Sequence, residues 1–321
     1  MPSGRSIVTS TGSPSPRDHP MNTLARYQGC LLGLACGDAV GTTVEFKPRG
    51  SFPQVTDMTG GGPFGLAAGQ WTDDTSMALC LAESLLACGG FDARDQMTRY
   101  LRWWREGYLS STDSCVDIGA TVAGALQRFS MGGEPFSGSP DPHTAGNGSL
   151  MRLAPVVMFY FPAFQDVFEF SALSSRTTHA APEAMECCQL LGWLLMRALS
   201  GDPKAKVLAP CGFRPKQPRV ALVARGDFMR KSRDQVRGDG YCVHSLEAAL
   251  WCFHTTISFE SAVLAAANLG DDADTTAAIT GQLAGAYYGV DAIPKPWLAK
   301  LHMRREIEDV AGRLHDASRT R

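Results

Sequence analysis
The sequence predicts an all-α fold, a single domain built as a many-helix bundle. Three observations carry that reading. Apolar residues recur at three- and four-residue intervals along most of the 321 residues, alternating β-type segments are scarce, and 44% hydrophobic with 19% charged residues is the balance of a globular chain. Residues 23–37 place Leu24, Tyr27, Leu31 and Leu34 on one helix face, and residues 75–88 do the same with Met77, Leu81 and Leu85. Further helical patterns run through 183–199, with Leu190, Leu191 and Leu194, and through 243–256, with Leu246, Leu250 and Phe253. From Asn268 to Tyr288 one face is unusually small, with Ala277, Ala278, Gly281, Ala284 and Gly285, so this helix can approach a neighbour closely. Glycine, proline and polar residues interrupt the pattern at 47–70, 130–148 and 200–240. These read as loops, the last being the best candidate for a variable insertion.

In this reading the domain spans 23–315, preceded by a disordered leader rich in Ser, Pro and Thr at 1–22 and followed by a polar tail at 316–321. Thirty Lys and Arg against 32 Asp and Glu leave a net charge of −2 and no basic field to gather phosphate backbones, which argues against nucleic acid as a partner. No apolar run approaches the roughly 20 residues of a membrane span. The ten cysteines lie mostly in apolar helical stretches without a CxxC pair and are expected to be reduced, buried thiols of a cytoplasmic protein.

Two acidic runs each stand just before an apolar helical pattern: Thr72-Asp73-Asp74-Thr75 ahead of Met77, and Asp271-Asp272-Ala273-Asp274-Thr275 ahead of Ala277. Both belong at helix N-termini, where Thr or Asp can cap free N–H groups and negative charge is favoured by the helix dipole. Capping alone needs one acceptor per helix, whereas the two runs bring two and three carboxylates. Like charges so concentrated call for a cation, and carboxylate and hydroxyl oxygens suit the hard divalent ions Mg²⁺ and Mn²⁺. The reading is therefore a metal-containing cleft where the two N-termini converge. A further acid, Glu45, follows Gly37-Asp38-Ala39-Val40-Gly41 in small and apolar surroundings; it reads either as a functional carboxylate or as a surface glutamate at a loop start.

These motifs, in this order with Gly29-Cys30-Leu31-Leu32-Gly33, Trp71 before Thr72, Gly146-Asn147-Gly148-Ser149-Leu150-Met151-Arg152 and Gly270 before Asp271, resemble the ADP-ribosylglycohydrolase family from about Arg26 to Gly289. The resemblance implies an orthogonal α-bundle with two Mg²⁺ or Mn²⁺ ions at the base of a cleft that binds ADP-ribose. Carried over, Thr72, Asp73 and Asp74 supply one side of the metal site, and Asp272, Asp274 and Thr275 the other. Asp271 stands where relatives often have glycine. Asn147, Gly148 and Ser149 form a small-residue turn whose N–H groups can approach a diphosphate, with an ordinary helix cap as the plain alternative. His179 occupies a ligand-side position or a structural one, and Tyr241 the position whose ring lies near the adenine.

Asp117, in Cys115-Val116-Asp117-Ile118-Gly119, resembles the arginine-directed branch of the family. There it would pair bidentately with a guanidinium, against the alternative of a capping or salt-bridged aspartate. The implied activity is hydrolysis of the N-glycosidic bond between ADP-ribose and arginine of a modified protein, with Glu45 as general base or gate and Asp73 sharing the proton traffic. The alternatives are the same fold acting on serine-linked, nucleic-acid or small-molecule ADP-ribose, or an immunity module that neutralises an ADP-ribosylating toxin by hydrolysis or occlusion.

Overall fold
The computed structural model describes residues 23–210 and 212–321; the expected leader at 1–22 lies outside them. Among the described residues there are fourteen α-helices and no strand beyond isolated bridges. The first seven are α1 (Thr23–Gly41), α2 (Asp73–Cys88), α3 (Ala93–Glu106), α4 (Ala120–Gly132), α5 (Ala154–Tyr160), α6 (Phe164–Arg176) and α7 (Pro182–Leu199). The remainder are α8 (Lys204–Val207), α9 (Pro218–Ala224), α10 (Cys242–Thr255), α11 (Phe259–Ala267), α12 (Ala273–Tyr288), α13 (Lys295–Lys300) and α14 (Arg304–Arg319).

The spine of the fold is α1 lying antiparallel against α12, with α2, α5, α7, α10, α11 and α14 packed around the pair. Small residues allow this approach. A Cβ at Gly29 would stand 2.3 Å from the Gly285 carbonyl oxygen, one at Gly33 2.4 Å from that of Gly281, and one at Gly41 2.3 Å from that of Ala273. The small face read from the sequence on α12 therefore meets a matching glycine stripe on α1, and the C-terminal end of α1 meets the N-terminus of α12. Both helices are buried almost all round, which explains why neither shows a clean polar face. The outer helix α14, by contrast, buries Ile307, Val310, Ala311 and Leu314 while Arg305, Glu306, Asp309 and Arg313 face solvent.

Three boundaries differ from the sequence reading. First, α1 runs to Gly41 rather than ending near residue 37, because Gly37 and Gly41 serve the contact with α12 and do not break the helix. Second, α14 continues to Arg319, so residues 316–319 belong to the last helix; Ser318 is buried and accepts a hydrogen bond from the Tyr27 hydroxyl at 3.1 Å. Third, the stretch 200–240 holds α8 and α9 and ends as a support. The Arg49 guanidinium donates to the carbonyls of Leu269, Arg233 and Val236, and Asp272 N donates to the Gly238 carbonyl at 2.8 Å. Nine cysteines are free among the described residues, seven of them buried, with Cys88 exposed and Cys115 partly so.

Candidate active site
The N-terminus of α2 is set by its approach. Trp71 is fully buried, and its backbone exchanges hydrogen bonds with the Ser111 hydroxyl at 3.1 and 2.6 Å. Neither Thr72 nor Asp272, the residues that begin α2 and α12, caps its own helix with its side chain. The caps come from elsewhere. Asp38, inside α1 and fully buried, accepts from Thr72 N and Thr75 N of α2 and from the hydroxyls of Thr72 and Thr75 at 2.9 and 2.7 Å. Glu45 Oε2 accepts from Ala273 N at 2.7 Å and Asp274 N at 3.1 Å at the start of α12. Each cap sets a carboxyl group at the positive end of a helix dipole. Because α1 and its exit supply the caps, the carboxylates of the two acidic runs are largely released for other work.

Those carboxylates converge. The Thr72 hydroxyl lies 3.3 Å from Asp74 Oδ2 and 3.3 Å from Asp274 Oδ2, so the two runs, far apart in sequence, meet around one oxygen. Oxygens of Asp38, Asp74 and Asp274 come within 4.8 Å of one another, as do those of Glu45, Asp272 and Asp274, which makes Asp274 common to both groups. Asp74 Oδ1 is buried with no hydrogen-bond partner among the described residues. A cation is the natural complement of such an atom, and an all-oxygen donor set without His or Cys suits a hard divalent ion rather than zinc.

The electrostatics say the same. Burial, and then neighbouring carboxylates, hold Asp73, Asp74 and Asp274 well above the ordinary aspartate range. Glu45 is pushed up to about 8, chiefly by burial and then by Asp272, and Asp117 to about 6 for the same two reasons. Asp38 rises only to about 6, since its four partners among Thr72 and Thr75 favour its charged form against burial. The groups acting most strongly on Asp74 and Asp274 are all other acids. The cluster is thus arranged to be neutralised from outside the chain.

Beside it opens a cleft of about 240 Å³ whose lining includes Glu45, Asp73, Asp117, Gly148, His179 and Asp272. Larger hollows exist, one of about 570 Å³ around Phe52 and Trp251, but no acid group gathers there. Asp117 lies in the left-handed region at φ 56° and faces the same cleft. Asp271, also left-handed at φ 59°, is exposed and joins neither acid group; its backbone instead pairs with Phe46 and Lys47.

The glycine turn is more specialised than its sequence suggests. Asn147, which lines the cleft, donates from Nδ2 to Asp272 Oδ2 and to the Ser245 hydroxyl, both at 2.9 Å, so this amide orients an acid of the cluster. Ser149 turns its hydroxyl inward, accepting from Ser175 at 2.8 Å. What the turn keeps available is backbone: among the described residues the N–H groups of Gly148 and Ser149 have no protein acceptor. Gln282 of α12 fixes the turn's far end through Met151 O at 2.6 Å and Ala154 N at 2.9 Å. The His179 ring fills the space that side chains at Gly146 and Gly148 would take. Tyr241 is not among the lining residues; its backbone is bridged to Gly146, which is, and its hydroxyl donates to Glu183.

Two residues with a part in this geometry escaped the sequence reading as site residues. They are Asp38 and Arg152, a buried acid and a buried base within apolar surroundings; that misplacement of charge was the available signal.

Comparison with known proteins decides the family, since the model described as ADP-ribosylglycohydrolase matches residues 19–321. The chain belongs to the ADP-ribosylglycohydrolase family. It is 48% identical over 297 residues to "ADP-ribosylarginine hydrolase Tri1" of Pseudomonas putida (strain GB-1), covering 92% of this chain and 80% of that one. The protein of the same description from Serratia proteamaculans (strain 568) is 46% identical over 292 residues, with 91% and 79% covered. The "ADP-ribosyl-[dinitrogen reductase] glycohydrolase" of Rhodospirillum rubrum is 35% identical over 290 residues, with 88% and 92% covered. A solved structure described as "ADP-ribosylglycohydrolase-related protein complex" superposes with a TM-score of 0.83 at 47% identity, over 92% of this chain and 99% of that one. Among the described residues no helix is long and apolar enough to cross a membrane.

Proposed function
We propose that this chain is a metal-dependent glycosidase that removes ADP-ribose from arginine side chains of modified proteins. The observation that carries the chemistry is the meeting of Asp74 and Asp274 at two helix N-termini, with a buried Asp74 oxygen left without a partner. The acceptor is argued from Asp117 in the cleft, and from the likeness to relatives described as ADP-ribosylarginine hydrolases. Thr72, Asp73 and Asp74 on one side and Asp272, Asp274 and Thr275 on the other would hold two divalent cations, Mg²⁺ or Mn²⁺. Such ions, when bound, supply Lewis-acid stabilisation of ribose hydroxyls and of the attacking water.

The remaining work falls to the chain's own groups. Asp117 pairs with the guanidinium, whose planar fork a carboxylate matches with two parallel hydrogen bonds. Glu45, with Oε2 committed to the α12 N-terminus, lines the cleft as the carboxylate that takes and returns the proton. Asp73, beside it in the cleft, shares that proton traffic. In the reaction the hydroxyl of water joins the anomeric carbon, the carbon–nitrogen bond breaks, and the water's other proton ends on the leaving guanidine. The N–H groups of Gly148 and Ser149, with His179, face the diphosphate, and Tyr241 offers a flat face to the adenine.

The modified protein is the partner, and an ADP-ribosylating toxin is a fitting source of the modification. The free thiols support a reducing, cytoplasmic setting. Release of free ADP-ribose from ADP-ribosylated arginine protein, with and without chelator, tests the proposal. Chelator-sensitive release is expected; release that persists after exhaustive chelation contradicts the metal chemistry, and absence of release under both conditions contradicts the acceptor.

A further inference from the structure
Arg152 is fully buried and, among the described residues, has no carboxylate within ion-pair distance. Its guanidinium stacks on Tyr100 at 4.7 Å, Nη1 donates to the Gly148 carbonyl at 2.7 Å, Nη2 donates to the Thr178 hydroxyl at 2.7 Å, and Nε has no acceptor. A buried cation without an anion is costly, so its position at the back of the glycine turn calls for a purpose. The Thr178 hydroxyl lies 2.8 Å from His179 Nδ1.

The direction of these bonds is forced. Guanidinium can only donate, so Thr178 Oγ1 accepts from it. The single hydroxyl proton of Thr178 then has one acceptor in reach among the described residues, His179 Nδ1. With Nδ1 accepting, a neutral imidazole carries its proton on Nε2. The same burial and the same Arg152 charge keep the ring neutral, lowering its pKa to about 3. Nε2 has no protein partner among the described residues, and the ring lines the cleft against Gly146 and Gly148. Arg152 also holds the carbonyl of Gly148, and in a trans peptide that turns the Ser149 N–H, itself unpartnered, away from the guanidinium.

We propose that Arg152 and Thr178 are positioning residues that lock His179 in its Nε2–H tautomer and so present a neutral ring donor, beside the turn's N–H groups, to the diphosphate of ADP-ribose. The inference rests on the ADP-ribose reading of the cleft. Its value lies in the fixed proton: a ring free to choose its tautomer would offer the diphosphate a lone pair part of the time, which an anion rejects.

The test uses full-length protein with ¹⁵N-histidine, the His179 ring signals being assigned by loss in His179→Gln. In the unsubstituted protein the ring is expected to stay neutral with Nε2 protonated from pH 5 to 9. Thr178→Val removes the hydroxyl relay; it should move the ring toward the Nδ1–H form and raise the Kd for ADP-ribose by about 10- to 100-fold, with Mn²⁺ affinity unchanged. Thr178→Ser, which keeps the hydroxyl, should restore both the tautomer and the affinity, and it guards against a folding defect in the valine variant. ADP-ribose binding by a protein whose His179 carries its proton on Nδ1 would overturn the relay alone. A tautomer change in Thr178→Val without loss of affinity would overturn it as well. No ADP-ribose binding by the unsubstituted protein would instead sink the reading of the cleft, and the proposal with it.

Discussion

Replacing Gly41 with alanine tests whether the α1–α12 contact builds the active site or merely stabilises the fold. The added Cβ would stand 2.3 Å from the Ala273 carbonyl oxygen and 2.5 Å from the Asp274 Cα, where ordinary contact begins at 3.4 Å. The N-terminus of α12 must therefore retreat by about 1 Å, carrying Asp272 and Asp274 away from Asp74. Gly29→Ala is the matched control, because its Cβ also meets a carbonyl oxygen at 2.3 Å, that of Gly285, at the far end of the spine. Twelve helical residues place it about 18 Å from Gly41. Overpacking costs each variant about 1–3 kcal/mol, partly offset by the better helix propensity of alanine, so both melts should fall by a few degrees. Activity should separate them. A displacement of about 1 Å among reacting groups is worth on the order of 100-fold in kcat/KM, so Gly41→Ala should lose that much, while Gly29→Ala stays within about threefold. Thermal melts and ADP-ribose release at saturating Mn²⁺ measure both. Equal activity losses at equal melting shifts would refute the claim that the spine sets the site.

Three further outcomes follow from the same geometry. Glu45 is held near pH 8 by burial and acid neighbours, so the folded state binds more protons than the unfolded one between about pH 4.5 and 8, and metal-free stability falls as pH rises through that window. For Glu45 alone the loss above pH 8 is on the order of 5 kcal/mol, so the rise in melting temperature on adding Mn²⁺ should be much larger at pH 8 than at pH 5; equal shifts at the two pH values would contradict the electrostatic account. Asp117→Asn should cut hydrolysis of arginine-linked ADP-ribose by at least about 100-fold while leaving the Kd for free ADP-ribose within about threefold, measured by release and by calorimetry, since the guanidinium pair is absent from the product. Asp271→Asn should leave activity unchanged and the melt equal or slightly higher, because Asp271 sits left-handed and exposed outside the cluster.

The sequence and the structure agree most closely where local chemistry decides the outcome. Thr72–Thr75 and Asp271–Thr275 are legible as helix starts because acids followed by an apolar repeat have few other homes, and their excess charge makes an acid cluster able to hold a cation legible too. The end of α1 is not. Gly37 and Gly41 look like stop signals locally, and only the backbone of α12 lying against them shows why glycine is needed there. The same glycines hide Asp38: by local pattern it falls after the helix, and in the structure it lies within α1 as the buried carboxylate that caps α2. Side-chain direction was equally out of reach. The sequence of Asn147, Gly148 and Ser149 suggests a turn that offers backbone N–H groups, but not that the Asn147 amide holds Asp272, that the Ser149 hydroxyl meets Ser175, or that the His179 ring fills the space beside Gly148. These distinctions rest on partners about 26 to 125 residues away in the chain, which spacing alone does not encode.

Anomalous scattering from crystals grown with Mn²⁺ addresses the central claim most directly. Density for the ion should lie between the starts of α2 and α12, bonded to carboxylate oxygens of both Asp74 and Asp274. An ion bound to one helix only, or seated elsewhere with the two aspartates bare, would contradict it.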